Sequence, residues 1–83
     1  MNSNPVYFTK AGTLRLSSVG RCDVMVWRSN DNTLFLETPF LEPTEGGLMS
    51  EAGNACFSSE QLMCCDDPSL VALAERALEV FGD

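Results

Sequence analysis

The segment from Asp67 to Gly82 constrains this chain most. Asp67-Pro68 is followed by Leu70, Leu73, Ala74, Ala77, Leu78 and Phe81 at helical spacing, and then by Gly82. An aspartate before the first turn accepts from unpaired N–H groups, and a proline at the first position has its φ already set. Gly82 stands where a C′ glycine ends a helix. The spacing predicts a helix over about 68–81, with Leu73, Leu78 and Phe81 in the core. Such a helix needs an apolar surface to cover, and the rest of the chain has to supply it.

That surface reads as strands. Val6 to Lys10 is β-rich, Ala11-Gly12 resembles a turn, and Thr13 to Ser18 alternates with Leu14 and Leu16 on one face. A second turn is expected at Val19-Gly20-Arg21. Cys22 to Arg28 follows, with Cys22, Val24 and Val26 on one face and Met25 and Trp27 on the other. Two apolar faces point to a central strand or to one covered on both sides. Ser29-Asn30-Asp31-Asn32 is a turn sequence, since Asn and Asp bond nearby backbone and tolerate left-handed φ. Thr33 to Thr38 then places Leu34 and Leu36 inward, and Phe35 and Glu37 outward, until Pro39. Short connections between strands imply antiparallel pairing.

The expected fold class is therefore α+β. It is an antiparallel meander of about four strands over residues 6–38, covered on one face by the C-terminal helix. A shorter helix over about 59–65 is predicted from Ser58-Ser59-Glu60-Gln61, a capping box with Ser58 as N-cap. Residues 39–57 hold Pro43 and Gly46-Gly47, which interrupt regular structure. Phe40, Leu41, Leu48 and Met49 are too apolar for a free linker, so this loop is expected to fold back, with room for a fifth short strand near Leu48. With 83 residues, the chain is expected to be one compact domain, 1–83, and a complete small product.

Chemistry is sparse. The chain has no histidine, the commonest general base, and Lys10 is its sole lysine. Cys64-Cys65 precedes Asp66-Asp67, which disfavours a thiolate. The aspartates themselves are explained by helix capping, and Cys22 and Cys64 by packing. No phosphate-binding loop is present. Four cysteines without a CxxC pair do not match a zinc site. No catalytic residue, metal or cofactor is expected, and the chain reads as a binding protein rather than an enzyme. The start lacks the charged and apolar regions of a signal peptide, and no apolar run is long enough to span a bilayer. The expected compartment is the cytosol, with reduced thiols and no membrane partner.

Charge is more informative. The net charge is −7, and it is uneven. Residues 1–30 carry Lys10, Arg15, Arg21 and Arg28 against Asp23, a balance of +3; residues 31–83 carry Arg76 against eleven carboxylates, a balance of −10. Glu75 and Glu79 are four apart on the outer face of the last helix, and Glu79 and Asp83 lie near its C-terminus, where the helix dipole favours cations. Stability alone would not select that placement. Glu42, Glu45, Glu51, Glu75 and Glu79 are therefore the candidate partner-binding residues, directed at Arg and Lys of a protein that handles nucleic acid. Tyr7, Trp27 and Phe35 form a candidate aromatic contact patch on the sheet face away from the helix, near Arg15 or Arg28.

In size, acidity and lack of histidine the chain is similar to the small inhibitors made by phages and mobile elements, such as anti-CRISPR and other counter-defence proteins. That likeness implies a non-enzymatic inhibitor docking on a basic, nucleic-acid-binding surface, in the host cytosol if phage-encoded. The alternatives are a nucleic-acid-binding or accessory subunit using the basic N-terminal sheet, and a homodimeric structural factor. A net charge of −7 opposes direct binding to a polyanion. Either a monomer or a homodimer fits the sequence.

Overall fold

A computed structural model describes residues 7–16 and 22–82. The chain runs β1 (Phe8–Leu16), β2 (Cys22–Ser29), β3 (Leu34–Thr38), β4 (Leu48–Met49), β5 (Ala55–Ser58), α1 (Ser59–Met63) and α2 (Pro68–Phe81). The strands form one antiparallel sheet in the order β1-β2-β3-β5-β4. This is the expected α+β arrangement, with both helices C-terminal to the meander. Val6, the stretch Ser17 to Arg21 with its expected turn, and Asp83 lie outside the described residues, as do the side chains of Leu16 and Cys22.

The first two expected strands are one. Ala11 is an extra residue in β1: Lys10 pairs with Trp27 and Gly12 with Val26, so the register slips by one between them. Such a bulge kinks a strand without reversing it. Gly12 serves close approach rather than a turn, because a Cβ there would lie 2.5 Å from the ring of Phe81. The fifth short strand expected near Leu48 is present as β4, and the second difference is β5, Ala55–Ser58, which begins inside the stretch read as a loop. The β4–β5 connection is closed by Ser50 N–H donating to the Asn54 carbonyl at 2.8 Å, with Gly53 at φ +87°. The turn between β2 and β3 has Asn32 at φ 72°, as its composition predicts.

Alternation on β1, β2 and β3 sends Leu14, Val24, Val26, Leu34 and Leu36 to one face, all buried. There they meet Leu70, Leu73, Ala74 and Ala77 of α2 and Leu62 of α1. Full burial of each such leucine contributes about 1.5–3 kcal/mol. Small residues at 74 and 77 let the helix sit close to the strands. Leu78 departs from expectation: it is 39% exposed, one step around the helix from the buried stripe. Phe81 is half-buried against the core, over Gly12.

Both helix starts follow the sequence signals. The Ser58 hydroxyl accepts from Gln61 N–H at 3.2 Å, and the Gln61 side chain accepts from Ser58 N–H at 2.9 Å. Asp67 accepts from Ser69 N–H at 2.9 Å. The end of α2 differs. Gly82 has φ −77° and ψ 149°, an extended rather than left-handed conformation. The last turn contains no basic residue, but Arg28 of β2 donates to the Phe81 carbonyl. A strand residue thus supplies the cation that a helix C-terminus favours.

Candidate functional site

The helices cover one face of the sheet. The other face is built from the alternate residues of the same strands, and they line a cleft of about 550 Å³. Met25 and Trp27 come from β2, Phe35 and Glu37 from β3, and Cys56 from β5. Phe8 of β1 packs edge-to-face on Phe35, ring centroids 5.3 Å apart and planes at 90°. Tyr7 lies beside them, its carbonyl accepting from Asn30 N–H at 3.0 Å. Leu48, Met49 and Glu51 close the side formed by β4 and the turn after it.

Among the described residues, Glu37 is the one buried acid of this face, 8% exposed. Its Oε1 accepts from Trp27 Nε1 at 3.0 Å. Its Oε2 accepts from Ser50 Oγ at 2.9 Å and Asn54 Nδ2 at 2.8 Å. Burial pushes this carboxyl up, but the bonds from Asn54, Trp27 and Ser50 outweigh it and hold Glu37 below its ordinary value. Three elements are joined by one carboxylate: β2, β3 and the β4–β5 connection. The network also fixes the indole of Trp27. Next to it, burial and then the negative charge of Glu37 push the Cys56 thiol up. That sulfur stays protonated at neutral pH, the opposite of an activated nucleophile.

The expected aromatic residues Tyr7, Trp27 and Phe35 therefore share one cleft. Arg28 is not beside them: it reaches the other side, bonding the Phe81 carbonyl and, at 2.9 Å, Asn32 Oδ1. Arg15 is exposed and faces Asp23 at 3.6 Å. Arg21 lies outside the described residues. The expected acidic residues do not form one patch. Glu51 lines the cleft, and Glu42 and Glu45 are exposed in the connection before β4. Glu75 and Glu79 are exposed on α2, on the far side of the sheet and turned away from it.

Sequence reasoning missed Phe8, Glu37, Ser50 and Asn54. A glutamate inside the apolar run Leu34-Phe35-Leu36-Glu37 was the available signal, since a carboxylate in a strand flanked by buried residues demands partners. Among the described residues, no group of three or more His, Cys, Asp or Glu is placed to hold a metal ion. No described helix is long and apolar enough to cross a membrane. No family model, curated protein or solved structure matches the chain.

Proposed function

We propose that the chain is a non-enzymatic binding protein that seats the basic surface of a protein partner on the open face of its sheet. The observation that supports this reading is the charge of the cleft. Its walls are aromatic, its acids are Glu37 and Glu51, and among the described residues no lysine or arginine lines it. Glu42 and Glu45 add exposed negative charge on the approach to β4. Aromatic area with a polar, charged rim is how binding surfaces are composed. Acidic charge steers a basic partner and disfavours wrong ones. Surfaces dense in Arg and Lys are those that hold nucleic-acid phosphates, so the partner class is a protein that handles nucleic acid. In its finer form the chain is an inhibitor occupying such a groove, as counter-defence proteins of phages and mobile elements do, anti-CRISPR proteins among them.

Trp27, the single tryptophan, is a built-in reporter of the cleft. A short Arg- and Lys-rich peptide should change its fluorescence saturably, with affinity falling as salt rises. A single-stranded oligonucleotide of similar length should leave it unchanged. If the oligonucleotide binds and the peptide does not, the chain is a nucleic-acid-binding subunit, and Lys10 and Arg15 become its contact residues.

A further inference from the structure

The cleft holds a negative charge that nothing in the described chain neutralises. Glu37 is bonded by an indole, a hydroxyl and an amide, all uncharged. Of the described cations, Arg15 faces Asp23, Arg28 bonds the end of α2, and Lys10, opposite Trp27 on β1, is exposed and does not line the cleft. A carboxylate offers about four acceptor positions. Three are used, two on Oε2 and one on Oε1, so Oε1 keeps one. Around it stand rings whose faces carry partial negative charge. The perpendicular planes of Phe8 and Phe35 make a corner, and Trp27 is held beside the carboxylate. Buried charge, spare acceptor and ring faces all call for the same ligand, a cation that is weakly hydrated and carries N–H donors.

Among protein side chains that description selects arginine. Its guanidinium is planar, stacks on aromatic rings and donates in a fixed fork, whereas the lysine ammonium is compact and strongly hydrated. We propose that the cleft is an arginine receptor, in which one arginine of a protein partner enters against Phe8, Phe35 and Trp27 and donates to Oε1 of Glu37. Glu51 at the side of the cleft is the second acceptor. This rests on the reading that the partner is a basic protein, and it names the side chain recognised. A second copy of this chain is a poor occupant, because it brings its own −7 to a cleft that already holds two carboxylates.

Three probes test the assignment on the unmodified protein: a capped glycine–serine peptide with one central arginine, its citrulline twin and its lysine twin. Citrulline keeps the shape of arginine and removes the charge. The readout is the NMR signal of the lone Trp27 indole N–H, whose hydrogen-bond acceptor is Glu37. The arginine peptide should shift this signal saturably and bind tighter than the citrulline peptide by about tenfold, the factor one charge-assisted hydrogen bond provides. The lysine peptide should fall between them. Glu37→Gln should erase the preference for arginine over citrulline. Equal binding of arginine and citrulline by the unmodified protein overturns the proposal, whatever the variant does to folding. A signal that moves with protein concentration alone, without peptide, also overturns it, since the occupant is then a second copy. If the Arg- and Lys-rich peptide binds while arginine and citrulline are not distinguished, the basic-partner reading stands and only the arginine receptor falls.

Discussion

The two faces of the sheet are made by the same strands and follow opposite rules. The face under the helices is aliphatic, with Leu14, Val24, Val26, Leu34 and Leu36 closed over by α2 and Leu62. The other face is aromatic and partly open, and its one buried acid among the described residues is Glu37. Branched aliphatic side chains fill a closed volume, and helix covering removes them from water. Aromatic side chains present large, stiff area with few rotatable bonds, which suits a surface that meets another molecule. The polar network on the open face contributes what the closed face obtains from packing alone: a fixed position for each group. One strand, Leu34–Thr38, carries both rules in alternate residues.

The comparison breaks first if the closed face is not the stabilising one. Leu36→Ala, at a fully buried site, should cost about 2–5 kcal/mol. Leu78→Ala, on the exposed shoulder of α2, should cost about 1 kcal/mol or less. Urea unfolding with an unchanged slope measures both. Equal losses would mean that α2 is rotated on the sheet from the position described.

A smaller effect sharpens the role of Glu37. Glu37→Gln should lower stability at neutral pH by about 1.5–3 kcal/mol, the range for hydrogen bonds to a charged group. Because the folded carboxyl titrates below its ordinary value of 4.5, its contribution is present in full above that value. It is lost as pH falls through the lower, folded value. The gap between wild type and variant should therefore narrow on acidification below about 4.5. The Cys56 thiol, pushed up by burial, stays protonated throughout and does not create the difference. A gap that stays constant across the acid range would show that the amide lost geometry rather than charge.

How much of this was legible in the sequence follows the distance over which each signal acts. The helix starts were readable because Ser58 with Gln61, and Asp67 with Ser69, act within one turn. The aromatic face was readable because alternation puts Trp27 and Phe35 opposite the buried leucines. Ala11-Gly12 was not readable: a bulge and a turn use the same residues, and only pairing with Trp27 and Val26 separates them. Ala55–Ser58 is too short to display its period, and it runs straight into the cap of α1. The Glu37 network joins residues separated by 10, 13 and 17 positions, so its members carry no mutual signal until the strands pair. The acidic candidates were legible as a count of charges, while their division between two sides of the sheet is a property of the fold.

The smallest expected effect decides whether that division matters. Glu75 and Glu79 looked misplaced in the sequence, as like charges four apart near a helix C-terminus. Arg28 removes part of that argument by donating to the Phe81 carbonyl. What remains is the mutual repulsion of two exposed carboxylates, about 0.2–0.5 kcal/mol. Glu75→Gln combined with Glu79→Gln should raise stability by that amount at low salt, and by less at high salt, where exposed charges are screened. The same double variant should bind the Arg- and Lys-rich peptide as wild type does, because both residues face away from the cleft. Glu51→Gln, which alters the cleft itself, should weaken that binding instead. Paired titrations of the two variants against Trp27 fluorescence measure this. If the helix variant loses affinity as the cleft variant does, recognition reaches around both sides of the sheet, and the separation of a stabilising face from a binding face fails.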